Sequence, residues 1–397
     1  MFCFLVLTLV LIVVLLLKLK YDNRDIEFKG AFYHKHSRLS QFLLHKWTSI
    51  GEPYKPTFWA TNGHVQTLLH LFWPKPSIRW RREYLQLEDQ GVAALDWISN
   101  HSTDNDCTLN LASPILVIVP GLTCGAQEIS PLCRKAYEYG FRCVVFNRRG
   151  HGGSVLTTPC LQNSCEGKEL DEVVTYIHCA FPCAKIVVVA YSSGASLVLS
   201  YLEEFRKSPL SGAVCISPSY EMDKGIENGL PPIYDYLMTK RLVCLIRQHP
   251  GLSTAINFEY ALQSTNMREF NERVFEPLLG LNGFRCSYEN QLNNNFNNNV
   301  SRIRVPILCI SALDDPLCSA ELIPYSLFKN ASNFFLMTCE RGGHCGFYHG
   351  NCGMSSWADQ MACSFLDSMI HFNFKKTVEN CGLPFYTHVS RDRSYTQ

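Results

Sequence analysis

The stretch VVVAYSSGA, residues 187–195, decides how the rest of the sequence is interpreted. An apolar run leads directly to Ser192, which has the small residues Ala190 and Gly194 two positions before and after it. This pattern is typical of the nucleophile elbow, a sharp strand-to-helix turn that exposes a serine at the carboxyl edge of a sheet. The usual motif has glycine at both flanking positions, so Ala190 is a mild departure. The alternative interpretation is a serine that only caps a helix.

Two later motifs supply an acid and a base in the order that this elbow requires. Asp314 and Asp315 follow the apolar run VPILCIS, and His344 follows the run NFFLMTC. Chains with this elbow carry the nucleophile first, the acid second and the histidine last. We expect His344 to take the proton of Ser192 and Asp315 to orient the imidazole. Asp315 is preferred because it directly precedes the turn, and Asp314 is the alternative acid.

A reacting ester would also need N–H donors for the oxyanion that forms on its carbonyl. The backbone N–H of Ser193, directly after the nucleophile, is the first predicted donor. The second is expected in the loop of residues 121–125, and Leu122 is the residue assigned. Gly121 would allow a close backbone approach there. Without the elbow, the same loop reads equally well as a turn that ends a strand.

Apolar runs alternate with amphipathic segments between residues 114 and 217 and again after residue 303. This alternation predicts an α/β fold with a mostly parallel sheet and helices on both faces. The interval 218–302 has no apolar strand run and ends in an Asn-rich stretch, and it is predicted to be a helical cap insertion. The segment from Tyr21 to about Glu83 is aromatic-rich and has no clean period. The predicted divisions are an anchor (1–20), an N-terminal membrane-proximal extension (21–85), a first core part (86–217), the cap (218–302), a second core part (303–375) and a C-terminal tail (376–397).

Composition excludes several classes of protein. The 397 residues include 36 Lys and Arg against 35 Asp and Glu, and 47% of them are hydrophobic. The apolar content excludes a wholly disordered chain, and the balanced charge argues against a nucleic-acid partner. Several of the 19 cysteines, such as Cys143, Cys215 and Cys309, lie inside apolar runs. These are predicted to be buried free thiols rather than disulfides.

One Cys- and His-rich stretch offers a competing metal site. Its possible ligands are Cys339, His344, Cys345, His349 and Cys352. Thiolate and imidazole groups suit zinc, but these spacings match no standard pair of ligands. The sequence therefore predicts neither a metal nor a cofactor.

The N-terminus predicts attachment to a membrane. Residues 2–17 contain no charged side chain, and Lys18 and Lys20 follow them. A helix of this length measures about 24 Å, and flanking residues could extend it across a bilayer. The basic residues follow the run and no small-residue cleavage site is present, so an uncleaved anchor is favoured over a signal peptide.

We therefore expect a single-pass protein of the endoplasmic reticulum, another endomembrane or the plasma membrane. The basic flank favours a cytosolic catalytic domain. The glycosylation sequons at Asn100, Asn299 and Asn330 would suit a lumenal one. The side of the membrane stays open, as do glycosylation and the oligomeric state.

Six motifs together resemble the membrane-anchored abhydrolase-domain proteins of the α/β-hydrolase superfamily. They cover nearly the whole chain after the anchor: TNGHVQTL (61–68), PGLTCGAQE (120–128), VVFNRRGHGGS (144–154), REFNERVFEPLLG (268–280), DDPLC (314–318) and GGHCGF (342–347). The resemblance implies a nucleophile at Ser192, an acid at Asp315 and a base at His344. It also implies a serine hydrolase without a cofactor that acts on ester lipids, such as acylglycerols or phospholipids. The alternative is an inactive lipid- or steroid-binding protein on the same scaffold.

Overall fold

The apolar runs of the sequence form the central strands of a nine-stranded sheet. The computed structural model describes residues 27–28, 30–99, 110–161, 167–220, 230–279, 303–350 and 355–372. The strands of this sheet are β1 (Ala31–His34), β2 (Trp80–Gln86), β3 (Val92–Ile98), β4 (Ile115–Val119), β5 (Arg142–Asn147), β6 (Ile186–Tyr191), β7 (Leu210–Ile216), β8 (Ile307–Ala312) and β9 (Phe334–Cys339). Their order in the sheet is β1-β9-β8-β7-β6-β4-β5-β3-β2.

The middle of the sheet is parallel and its edges are antiparallel. Strands β4 to β9 pair in parallel, whereas β1, β2 and β3 run antiparallel to their neighbours. The parallel strands β4, β6, β8 and β9 are buried along their whole length, as strands covered on both faces require. The predicted α/β fold with a mostly parallel sheet is therefore confirmed.

Helices cover both faces of this sheet. The helices are α1 (Arg38–Lys46), α2 (Gly63–Phe72), α3 (Ser130–Glu138), α4 (Lys168–Ala180), α5 (Ser193–Glu204), α6 (Pro232–Arg247), α7 (Phe258–Leu262), α8 (Met267–Phe270), α9 (Glu276–Leu279), α10 (Tyr325–Asn330) and α11 (Trp357–His371). One hydrophobic core lies under α4, α5 and α10, and a second lies under α1, α3 and α11. A π-helical turn, Asn271–Phe275, joins α8 to α9.

The segment between β7 and β8 packs as a helical unit, which we call the cap (residues 230–279 of the described chain). Its helices α6 to α8 enclose a third hydrophobic core of their own. Leu122 and Leu161 of the sheet domain pack against that core. His249 of the cap also bonds through Nε2 to the carbonyl of Gly150, at 2.8 Å. The cap therefore rests on loops at one edge of the sheet, and the exact domain boundaries stay predictions.

The N-terminal extension is more ordered than its sequence indicates. It contributes β1, α1, α2 and the start of β2, although no clean period marks them. Strand β1 has only four residues and pairs on one side alone, with β9, so it needs no continuous apolar run. Short elements at the edge of a fold carry too few buried positions to show a period.

The sequence also made predictions about a membrane anchor, glycosylation sequons and buried cysteines. Among the residues that the structure describes, no helix is long and apolar enough to cross a membrane. The predicted anchor, residues 1–20, lies outside the described residues, as do Asn100 and Asn299. Asn330 is exposed at the end of α10. Cys143, Cys215 and Cys309 are free and buried, as predicted.

Candidate active site

Ser192 lies at the turn between β6 and α5 in a strained backbone conformation. Its φ is 51° and its ψ is −123°, which is unusual for a residue other than glycine. Its N–H donates to the carbonyl of Ile216 at 2.9 Å and so fixes the turn against β7. A Cβ atom on Gly194 would lie 2.5 Å from the carbonyl oxygen of Val119. The small residue at this position is therefore a requirement of the turn, whereas the methyl of Ala190 is accommodated in the buried strand.

Three side chains from three separate loops form one hydrogen-bonded chain. His344 Nε2 lies 2.8 Å from Ser192 Oγ, and His344 Nδ1 lies 2.8 Å from Asp315 Oδ2. The other carboxylate oxygen of Asp315 accepts the backbone N–H groups of Leu317 and Cys318, at 2.8 and 2.9 Å. The side chains of His344 and Asp315 are only 10% and 2% exposed. The carboxylate is thus held in one orientation, aimed at the imidazole.

The neighbouring Asp314 makes different contacts. Its Oδ1 accepts the backbone N–H of Gly343 at 2.9 Å, and its Oδ2 lies 3.7 Å from Arg341 Nη1. Burial raises the pKa of the Asp314 carboxyl. The structure therefore brings Asp315 to the histidine, and Asp314 instead holds the loop that carries His344.

The electrostatic surroundings of His344 favour its charged form. Burial is the strongest single effect and lowers the pKa of His344, but the charge and hydrogen bond of the Asp315 carboxylate, together with the nearby thiols of Cys345 and Cys318, outweigh it. The net pKa lies well above 6.5, the usual value for histidine. A histidine that has just taken a proton from a serine is an imidazolium, and this is the species that the carboxylate stabilises.

The two predicted oxyanion donors lie beside the serine. Ser193 is the first residue of α5, where backbone N–H groups have no partner one turn earlier in the helix. A Cβ atom on Gly121 would lie 3.3 Å from the Cβ of Ser192, so the loop after β4 approaches the serine closely. Leu122 follows in this loop, partly buried against the cap. The structure places Ser193 directly after the nucleophile and brings the loop of Leu122 close to Ser192 at Gly121; the roles of Ser193 and Leu122 as donors stay predictions.

Helix α2 of the N-terminal extension supports the site, which the sequence did not predict. The hydroxyl of Thr67 accepts the backbone N–H of His344 at 2.9 Å. A Cβ atom on Gly63 would lie 2.2 Å from the carbonyl oxygen of Asp314, so α2 packs tightly on the acid loop. His64 Nδ1 and the hydroxyl of Tyr234 in the cap are hydrogen-bonded at 2.9 Å. The motif TNGHVQTL was the sequence signal, because it contains Gly63, His64 and Thr67.

The possible zinc ligands of the Cys- and His-rich stretch do not form a site in the described residues. Cys339 and Cys345 are buried in the hydrophobic core, and Cys352 lies outside the described residues. Within the described chain, the group with ligand atoms within 4.8 Å of one another is Asp315, Cys318 and His344. Two members of that group are already hydrogen-bonded to each other.

Comparison with known proteins fits this arrangement. A hydrolase family model, described as serine aminopeptidase, S33, matches residues 112–345, which is more than half of the chain. The human protein ABHD15 is 32% identical over 330 residues, covering 80% of this chain and 69% of that protein. The chain belongs to the abhydrolase-domain family of α/β-hydrolases.

Two further relatives of this abhydrolase-domain protein carry names that state an activity. Human phospholipase ABHD3 is 28% identical over 342 residues, covering 83% of this chain and 82% of that protein. Monoacylglycerol lipase ABHD2 of Macaca fascicularis is 24% identical, covering 87% of each chain. The predicted α/β-hydrolase fold and the predicted class of ester hydrolases are confirmed at the level of the family.

Proposed function

We propose that this abhydrolase-domain protein is a serine hydrolase that cleaves carboxylic ester bonds of membrane lipids, of the acylglycerol or phospholipid type. The observation that carries the proposal is the hydrogen-bonded chain Ser192–His344–Asp315, with both links at 2.8 Å. Such a chain polarises a serine toward nucleophilic attack. The names of the relatives phospholipase ABHD3 and monoacylglycerol lipase ABHD2 support lipid esters as the substrates.

The geometry supports a two-step reaction through an acyl-enzyme. Ser192 Oγ attacks the ester carbonyl while His344 Nε2 accepts its proton, and Asp315 stabilises the imidazolium. The N–H groups of Ser193 and Leu122 would donate to the oxyanion. His344 then gives the proton to the departing alcohol. In the second step His344 takes a proton from water, and the resulting attack releases the fatty acid and restores Ser192.

An apolar rim around the site supports lipid substrates. Several large apolar side chains are exposed on α2, which bonds the backbone of His344, at the start of α6 and at the residue before Asp314. They are Val65, Phe72, Ile233, Tyr236 and Leu313. A rim of this kind can contact acyl chains that leave the bilayer. A membrane anchor in residues 1–20, which we propose as part of this function, would keep the rim near its substrate.

Labelling with a fluorophosphonate probe tests the proposal. We expect the detergent-solubilised full chain to be labelled, and Ser192→Ala and His344→Ala to lose the label. Ester hydrolysis should fall by at least about 10⁴-fold in Ser192→Ala. Ser193→Ala is the matched control and should keep the label, because the predicted oxyanion donor is its backbone N–H.

Other outcomes would change the conclusion. Labelling that survives in Ser192→Ala but vanishes in Ser193→Ala would show that Ser193, and not Ser192, is the nucleophile. A folded wild-type protein that takes no label and hydrolyses no ester would instead favour the lipid- or steroid-binding alternative.

A further inference from the structure

A large cavity is lined in part by the loop after β4, the same loop that approaches Ser192 at Gly121. Its volume is about 800 Å³, and it is bordered by that loop, the end of α2, strands β2 and β3, the turn of residues 150–153 and the cap helix α6. Apolar side chains such as Phe72 and Leu237 line it together with the polar Gln127 and Gln248. Arg241 also lines this cavity. A space of this size and mixed character suits a ligand with both a polar and an apolar part.

Arg241 is incompletely paired. Its Nη2 lies 3.9 Å from Glu128 Oε1, which is longer than a hydrogen bond. Its Nη1 is buried, and no described residue lies within hydrogen-bond distance of it. Glu128 is occupied elsewhere, because its other carboxylate oxygen accepts the backbone N–H of Gly125 at 2.9 Å. Buried donors are normally satisfied, so the free side of this guanidinium indicates a place for an acceptor.

The charges around the cavity leave a positive excess. Arg82 is neutralised by Asp96, which it meets through two hydrogen bonds of 2.7 Å each. Glu128 faces Arg241 across the long contact described above. Lys240 adds a further positive charge at the exposed rim. An anionic group would therefore be attracted to this cavity, and the planar guanidinium fork suits an oxyanion of phosphate geometry.

The path from the triad to Arg241 follows one face of α6. Tyr234, at the start of the helix, is hydrogen-bonded to His64 of α2, the helix that holds the backbone of His344 through Thr67. Arg241 comes two helical turns later on the same face, about 10 Å along the axis. The cavity also contains Thr123 and Gly125 from the loop that approaches Ser192. A lipid with its ester at Ser192 would thus extend its headgroup toward Arg241.

We infer that Arg241 binds the phosphate of a glycerolipid whose acyl ester lies at Ser192, so that the protein prefers phosphate-bearing lipids over neutral acylglycerols. This inference rests on the proposed function and adds the headgroup to it. In a glycerophospholipid only the glycerol unit separates the acyl ester from the phosphate. Arg241 is therefore a residue for specificity and takes no part in the chemical steps.

Two substrates with the same acyl chain test the inference. Octanoyl lysophosphatidic acid and monooctanoylglycerol offer the same ester with and without a phosphate. We expect Arg241→Gln to reduce kcat/KM for the phosphate lipid about ten- to hundredfold more than for the neutral one, mostly through KM. Arg241→Lys should recover part of the loss, because it restores the charge without the fork.

Arg247→Gln is the matched control. It removes one positive charge from the end of α6, where Arg247 is exposed and is not one of the residues that line the cavity. We expect it to change the ratio between the two substrates by less than about twofold, since exposed charges interact weakly. A loss of preference as large as that of Arg241→Gln would mean that general charge attraction, and no specific site, selects the lipid.

A binding measurement distinguishes an error in this inference from an error in the proposed function. Thermal shifts with lysophosphatidic acid can be measured on Ser192→Ala, which does not consume the lipid. A shift that Arg241→Gln removes would support the site even if no ester were hydrolysed. The inference would be overturned by an equal thermal shift in Ser192→Ala with and without Arg241→Gln. It would also be overturned if Arg241→Gln reduced kcat/KM equally for the two substrates. Glycerol 3-phosphate alone shows whether a free phosphate compound fills the site without an acyl chain.

Discussion

The sheet edge that carries Ser192 and the cap that covers it are built in different ways. At the sheet edge, backbone groups of neighbouring strands and loops hold the site in place: two N–H groups bind the Asp315 carboxylate, and the carbonyl of Ile216 accepts the N–H of Ser192. The cap has a separate hydrophobic core and meets the sheet domain through a few contacts, such as those of His249 and Tyr234. The difference suggests that the reacting groups belong to the rigid sheet, whereas the cap determines which lipid reaches them.

The sheet edge and the cap also differ in how much space they leave around a glycine. Around Ser192 the backbone is packed so closely that a single methyl group on Gly194 would overlap a carbonyl oxygen. In the cap, a Cβ on Gly251 would meet no atom within 4 Å. Substitutions at the sheet edge should therefore affect the rate and the stability, and substitutions in the cap should change the choice of substrate.

The largest expected effect is on the acid of the sheet edge. Asp315→Asn keeps the shape of the side chain but removes the charge that stabilises the imidazolium of His344. We expect kcat for a neutral short-chain ester to fall about 10³- to 10⁴-fold. The matched control is Asp314→Asn, which should lose less than about tenfold, because Asp314 contacts Gly343 and does not contact His344. Comparable losses in the two variants would contradict the assignment of the acid.

A second test compares one glycine from each region. Gly194→Ala should lower the free energy of unfolding by about 1 to 3 kcal/mol, because its Cβ would lie 2.5 and 2.6 Å from two carbonyl oxygens. Gly251→Ala should change it by less than about 0.5 kcal/mol. Thermal unfolding of both variants in the same detergent measures the difference. Equal destabilisation would show that the cap is as tightly constrained as the elbow.

The sequence predicted the sheet edge well because its constraints are local. The elbow needs small residues at fixed spacing around Ser192, and a buried strand needs a continuous apolar run before its loop. Chain order then selected His344 and the pair Asp314 and Asp315. Only the three-dimensional arrangement shows that the second aspartate, and not the first, reaches the histidine.

The supporting residues were missed because their contacts are distant along the chain. Thr67 reaches His344 across 277 positions, and His64 reaches Tyr234 across 170. Neither contact leaves a period or a spacing in the sequence. Arg241 also lies in a segment without a chemical motif, within the interval 218–302 that the sequence predicts only to be a helical cap. Its unpaired donor is visible only where α6, α2 and the loop after β4 meet.

The smallest expected effect is the change of the hydrolysis rate with pH. It tests whether the groups at the sheet edge alone control the rate. His344 accepts a proton only in its neutral form, so activity should rise with pH through the pKa of His344. Burial lowers that pKa, but Asp315 and the neighbouring thiols of Cys345 and Cys318 together raise it above 6.5. Below it, the rate should fall about tenfold for each pH unit. A neutral ester serves as the substrate, so that only groups of the protein titrate.

Two variants identify the titrating group. Asp315→Asn should move the midpoint of fluorophosphonate labelling to lower pH, because burial then acts on His344 without the opposing carboxylate. Asp359 is the control: burial raises its pKa to about 6, and its carboxylate bonds the hydroxyl of Tyr191 beside the nucleophile. Asp359→Asn should leave the midpoint above 6.5. Two outcomes would contradict this assignment: a midpoint that Asp359→Asn shifts, or a midpoint that Asp315→Asn leaves unchanged. Either would mean that a group outside the hydrogen-bonded chain controls the rate, and it would weaken the division between a catalytic sheet and a selective cap.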